Sequence, residues 1–165
     1  MDTAQTTLEQ LTLMSWGPDW LWGLPLIALT MGLHAMGLLV IGQTVHRFQI
    51  NIVKRCGYHL TFVVITGSTA ALAAILHGIE GAIWAIVYLF VGAVLSYPHA
   101  LLYSLGAMTT YGHSTLVLKS HWQFLGTLEA LNGMLLFGLT TAFLFAIIQK
   151  TWERFKSSEP DSPMY

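Results

Sequence analysis

Two carboxylates lie inside long apolar stretches of the sequence, at Glu80 and Glu129. A carboxylate at membrane depth is costly, so each is a candidate functional group. His77 lies three residues before Glu80 and Trp84 lies four residues after it, so the three share one face of a helix. This arrangement predicts a polar clasp between neighbouring helices, with proton transfer as the alternative chemistry.

Histidines are the other potential ligands. His34, His59 and His77 raise the possibility of haem ligation, because imidazoles from two helices can bind one haem iron. Their depths disagree, since His34 is central in its apolar stretch, His59 is near one membrane surface and His77 is displaced towards the other. The spacing of His99 and His121 matches no tight metal motif. We therefore expect neither a cofactor nor a bound metal beyond a permeant ion.

The elements that carry these groups belong to a membrane protein. Of the 165 residues, 55% are hydrophobic and only 9% are charged, whereas a soluble domain has roughly 25% charged residues. The net charge of −1 is made by a few charges at the ends of apolar runs, which argues against a nucleic-acid partner. The single cysteine, Cys56, predicts no intramolecular disulfide. Residues 1–20 lack Lys and Arg, so we expect no cleavable signal peptide.

Three stretches are long enough to cross a hydrocarbon core, which needs about 20 apolar residues. They run approximately from Trp22 to Val45, from Leu60 to Val94 and from Phe124 to Ile148. If the long middle stretch is one tilted helix, every basic residue except Lys119 falls on one side, as the positive-inside tendency predicts. A fourth span would split these charges. We therefore expect three transmembrane helices with the N-terminus outside and the C-terminus in the cytoplasm.

The segment between the second and third stretches has an unusual composition. Pro98 can begin a helix, and "HALLYSLGAM" after it has apolar residues at helical spacing but is too short to cross. The next residues, "MTTYGHS", are small and hydroxylated. A half-length helix followed by such a segment predicts a re-entrant loop, which is tolerated only where protein buries it or water lines it. Several copies around one axis would meet that requirement.

These residues resemble a known family. The short helix, "MTTYGHS" and then "GTLEALNGMLLFGLTTAFLFAII" are similar to the pore helix, selectivity filter and inner helix of the tetrameric potassium channel superfamily, especially its small bacterial two-transmembrane members. The resemblance covers roughly residues 60–150. It implies an all-α homotetramer in membrane lipid, with a central pore that passes a monovalent cation, K⁺ or Na⁺. It also implies a bacterial inner membrane location and no enzyme activity.

The resemblance and the hydropathy pattern together divide the chain. We expect an extracytoplasmic interfacial segment, a peripheral transmembrane helix and a cytoplasmic loop, followed by a pore module and a cytoplasmic tail. Within the pore module an outer helix, a pore helix, a filter and an inner helix follow in that order. The predicted ranges are, in chain order, 1–20, 21–46, 47–59, 60–150 and 151–165, with 60–94, 98–109, 110–114 and 122–149 inside the module.

Family filters usually read T-x-G-Y-G, and their carbonyls and threonine hydroxyl replace the hydration shell of an ion. This sequence departs from the pattern at Tyr111, His113 and Ser114. Ser114 replaces the second glycine, so the outermost ion site is expected to be altered and K⁺ selectivity is not implied. His113 either packs behind the filter or acts as a pH sensor at its mouth. The resemblance assigns the filter and the threonine before it to Thr109, Thr110, Tyr111, Gly112, His113 and Ser114.

The inner helix carries the remaining predictions. Gly133 lies where the family has its gating hinge, and the alternative is a packing glycine. Glu129 is near the expected filter level, where it either braces the pore helix or adds negative potential. A non-conducting structural or sensing protein derived from a channel is the main alternative function, and a small membrane redox or transport subunit is the weaker one. The expected pore-lining residues are Phe137, Thr140, Thr141 and Leu144, and the expected filter supports are His77, Glu80, Trp84 and Glu129.

Overall fold

The computed structural model describes residues 16–112 and 115–156. Three predictions lie partly outside these residues. The expected interfacial segment is described only from residue 16 onwards, and the cytoplasmic tail only as far as Lys156. His113 and Ser114, two of the five filter positions, are also outside the described residues.

The regular secondary structure of the described residues is entirely helical. Helix α1 is Gly17–Phe90, α2 is Tyr97–Met108 and α3 is Gln123–Lys156, and a short 3-10 turn at Ser120–Trp122 leads into α3. Among the described residues, three segments are long and apolar enough to cross a membrane, which fits the predicted class of all-α multi-pass membrane protein. We call them the first span (Gly17–Phe48), the second span (His59–Phe90) and the third span (Ser120–Glu153).

The helix that contains the first two spans is interrupted at one glycine between them. Gly57 has φ +72° and ψ 173°, which interrupts the helical geometry of α1. Glycine adopts this left-handed φ without the steric cost that a Cβ would add. Residues 47–59, which we expected to form a loop, are helical on both sides of Gly57. The segment contains no proline, so nothing in its backbone chemistry prevents the helix from continuing up to the glycine.

Local backbone chemistry explains where α1 ends and where α2 begins. The second span was expected to reach residue 94, but α1 ends at Phe90 because Gly92 takes φ +67° and the Ala93 amide donates to the Tyr88 carbonyl at 2.8 Å. This is a common way for a helix to end. Ser96 is extended, and Pro98 then lies in the first turn of α2, where its missing N–H is not needed.

The chain divides into two compact units. One contains Met1–Leu33 and His77–Leu136, and the other contains His34–Leu76 and Phe137–Tyr165. The core of the first unit is formed around Trp84, Tyr88 and Leu125, whose side chains have no exposed area. In the second unit the rings of Phe62 and Trp152 meet edge to face at 6.4 Å between centroids. Apolar packing between spans is therefore present in each unit.

Close packing of α2 on α3 depends on Gly133. A Cβ atom at this position would lie 2.6 Å from the Met108 Cα and also against the Met108 carbonyl oxygen. Backbone atoms cannot move aside as a flexible side chain can. The packing interpretation of Gly133 therefore has direct structural support.

We predict that Gly133→Ala lowers the free energy of unfolding by about 1–3 kcal/mol, because overpacking forces the backbones apart. Gly138→Ala is the matched control, since a Cβ there has no neighbour within 4 Å. Thermal unfolding of both variants in detergent tests this. A Gly133→Ala variant as stable as Gly138→Ala would contradict the packing role.

Candidate functional site

Helix α2 is held against the second and third spans within the first unit. Its buried residues include Ala100, Ser104 and Met108, which recur every four residues and form one face. The Ser104 hydroxyl lies 2.8 Å from the Gly81 carbonyl oxygen in the second span. Met108 packs on Gly133 in the third span. The short helix therefore has a fixed position relative to both spans.

The chain folds back at the end of α2. The Thr109 hydroxyl donates to the Leu105 carbonyl at 2.7 Å, and the Thr110 amide donates to the Ala107 carbonyl at 3.0 Å. The Gly112 amide donates to the Gly106 carbonyl at 3.2 Å. These bonds satisfy carbonyls that a helix end otherwise leaves without partners. The described part of the predicted filter is therefore ordered by α2 itself.

Successive residues of this segment differ in backbone conformation. Thr110 has φ +57° and Gly112 has φ +67°, whereas Tyr111 between them does not have a positive φ. A left-handed conformation costs a non-glycine residue roughly 1–2 kcal/mol, and it is a true outlier for a β-branched residue. Backbone strain of this kind concentrates at functional sites, which makes Thr110 a functional candidate.

The same segment is exposed in a single chain. Thr109, Thr110 and Gly112 are exposed, and Tyr111 has 83% of its area exposed. Threonine hydroxyls and backbone carbonyls at such a tip can coordinate a cation.

Glu129 lies behind α2 and has no exposed area. The Tyr88 hydroxyl donates to one carboxyl oxygen of Glu129 at 2.5 Å, and the Ser104 hydroxyl bonds the other. The prediction that Glu129 braces the short helix agrees with these contacts. Tyr88 and Ser104 were not predicted, although a serine between Ala100 and Met108 on an apolar helix face was a usable signal.

The contacts of Ser104 constrain the protons in this cluster. Its hydroxyl has a single proton but lies within bonding distance of two acceptors, Gly81 O and Glu129 Oε1. Both bonds form together only if the carboxyl group of Glu129 supplies the second proton. In that arrangement Glu129 donates to Ser104, Ser104 donates to Gly81, and Tyr88 donates to Glu129.

The predicted clasp at His77, Glu80 and Trp84 is only partly brought together. His77 Nδ1 lies 3.4 Å from Glu80 Oε2, three residues away on the same helix. Trp84 is in the apolar core, with its ring centroid 6.3 Å from that of Tyr88. Its indole N–H has no hydrogen-bond partner among the described residues. The second span is therefore joined to α2 at Gly81, one residue after Glu80.

The first span is bonded to the start of the third span. The Leu125 amide donates to the Asp19 carboxyl at 2.8 Å, which satisfies one of the free N–H groups at the start of α3. The Asn132 side-chain amide donates to the Thr30 hydroxyl at 2.9 Å. Neither pair was predicted, because the polar partners are more than a hundred residues apart in the sequence.

Not all of the predicted pore-lining residues are exposed on the surface of the chain. Thr141 and Phe137 are exposed and Leu144 is half-buried. Thr140 is buried, and its hydroxyl is 2.9 Å from His34 Nε2. This contact places Thr140 in the packing of the second unit, which does not fit a water-lining role. It also gives His34 the partner that the sequence did not reveal.

Two further histidines, His99 and His121, have local contacts. His99 Nδ1 is 2.7 Å from the Ser96 hydroxyl at the start of α2, and the His121 ring packs on Trp122 at 5.4 Å between centroids.

The chain matches no protein-family model, no curated protein and no solved structure.

We predict that Thr110→Gly raises the free energy of unfolding by up to about 1 kcal/mol, because glycine relieves the left-handed strain. Thr109→Gly is the control, since Thr109 has φ −85° and loses a hydroxyl bond when mutated. Thermal unfolding should move in opposite directions for the two variants. Destabilisation by both would show that Thr110 is not strained.

We also predict that Glu129→Gln retains most of the stability, because a glutamine amide donates to Ser104 and its carbonyl accepts from Tyr88. Glu129→Leu should lose about 2 kcal/mol or more, because it leaves two buried hydroxyls without this partner. Thermal unfolding of both variants tests this proton arrangement. Equal losses would indicate that the carboxylate is charged in the folded protein.

Proposed function

We propose that this protein is a pore-loop channel for monovalent cations, in which four copies bring their Thr109–Gly112 segments around a common axis. The observation that supports this most is the geometry of α2. Its 12 residues extend only about 18 Å, less than the roughly 30 Å of a hydrocarbon core. A helix of this length inside a membrane protein ends at depth, and the exposed backbone that follows it needs a polar environment.

A ring of copies supplies that environment. Exposed backbone at membrane depth is stable only where protein covers it or water lines it. In the proposed tetramer the exposed segments of four chains surround a water-filled axis, and their carbonyls and threonine hydroxyls replace the hydration shell of the ion. The alternating φ values at Thr110 and Gly112 support this role, because such a backbone departs from the ordinary helix and strand conformations.

The surrounding residues fit the same proposal. Glu129, Tyr88 and Ser104 brace α2 from behind, as an exact ion site requires rigid support. Further along α3, the exposed residues Phe137 and Thr141 take the pore-facing positions in this proposal, whereas the buried Thr140 does not. The positive-inside pattern orients the N-terminus outwards and the C-terminus into the cytoplasm of a bacterial cell. Selectivity between K⁺ and Na⁺ depends on positions that include Ser114.

We predict that the purified protein, reconstituted in liposomes, dissipates a K⁺ or Na⁺ gradient. Gly112→Ala should reduce the flux by about tenfold or more, because a Cβ at φ +67° adds a strain of about 1–2 kcal/mol in each subunit. Gly78→Ala is the matched control, since a Cβ there meets nothing within 4 Å and no positive φ is involved. Ser114→Gly should increase the preference for K⁺ over Na⁺.

The molecular mass of the purified protein in detergent should correspond to a tetramer. A tetramer without flux would favour the non-conducting, channel-derived alternative. A monomer, or flux that Gly112→Ala leaves unchanged, would refute the proposed filter.

A further inference from the structure

The second unit contains an open cavity of about 490 Å³ between the first and third spans. The first span contributes residues on three successive turns, at positions 38–39, 42–43 and 46–47. The third span contributes Phe143, Ala146, Ile147 and Lys150, again at helical spacing. Each helix therefore presents one continuous stripe to the cavity.

The cavity is basic at one end and apolar at the other. His46, Arg47 and Lys150 lie at one end, and Leu38, Leu39 and Phe143 lie at the other. Neither aspartate nor glutamate is among its lining residues. The first span ends at Phe48 and the third at Glu153, so the basic end lies at the ends of the spans. The apolar end is about 13 Å further along the helix, at 1.5 Å per residue.

We propose that this cavity binds one phospholipid with a negatively charged headgroup. The phosphate lies between Arg47 and Lys150, because the guanidinium fork and the ammonium group are the preferred partners of phosphate oxygens. One acyl chain extends over Leu38 and Phe143 into the bilayer. Basic pockets between transmembrane helices are suited to such headgroups. The apolar half favours a lipid over a free phosphate ion, which would leave that half empty.

The dimensions agree with this occupant. The volume is within the roughly 300–1,000 Å³ range of small-molecule sites, so the cavity accommodates the headgroup and the upper part of one chain while the rest stays in the bilayer. Gly42 lies midway along the stripe of the first span, where a Cβ would touch the Phe143 ring at 3.4 Å. A second cavity of about 30 Å³ shares Gly42, His46 and Lys150 and adds Thr151 to the polar end. The proposal does not depend on ion conduction.

Native mass spectrometry of the full-length protein tests the proposal, with phosphatidylglycerol and phosphatidylcholine of identical chains offered at equal concentration. The wild-type protein should retain phosphatidylglycerol preferentially. The double variant Arg47→Gln/Lys150→Gln should reduce that preference by about tenfold or more, since each basic group near the membrane surface contributes about a fivefold effect. Gly42→Leu retains both charges but places a bulky side chain in the middle of the cavity, and it should also weaken phosphatidylglycerol binding.

Lys156→Gln is the control, because Lys156 is an exposed cation near the end of α3 and is not among the lining residues. It should leave the lipid preference unchanged. Thermal unfolding in lipid-free detergent establishes that each variant is folded. Equal binding of both lipids to the wild type, or an equal loss in Lys156→Gln, would overturn the proposal. Displacement of the lipid by inorganic phosphate alone would also overturn it.

Discussion

The buried hydroxyl of Ser104 is the contact on which the arrangement around α2 depends. It bonds the second span at the Gly81 carbonyl and the third span at Glu129. Hydrogen bonds of this kind are stronger in a low-dielectric interior, and a missing partner there is correspondingly expensive. A helix of 12 residues has little apolar surface with which to hold its own position. The polar contacts therefore define where α2 lies, and apolar packing fills the space around them.

The spans could be predicted from the sequence because their length and apolar composition are local properties. The same holds for the start of α2 at Pro98, which was placed within one residue of its position. The helical character of residues 47–59 was missed, because charged residues between two apolar stretches were interpreted as a loop. A single glycine at position 57 is enough to interrupt the helix there.

Less of the candidate site could be predicted from the sequence. Glu129 was identified because a carboxyl group inside an apolar stretch is costly in itself. Its partners could not be identified, since Tyr88 and Ser104 lie on other elements and contact depends on how the helices pack. Thr140 shows the same limit. It was expected to line the pore from the inner helix, and its contact with His34, a residue more than a hundred positions away, could not be predicted from the sequence.

The links between the first and third spans limit how α3 can move. The Asp19 carboxyl holds the amide of Leu125, and the Thr30 hydroxyl holds the side chain of Asn132, two turns further on. Because both bonds lie on one side of α3, rotation of the helix about its own axis would break them. A conformational change in α3 that preserves these bonds leaves the N-terminal part of the helix, as far as Asn132, in place. In a channel of the proposed kind, opening would then be confined to the C-terminal part of α3, while the part that packs on α2 stayed rigid.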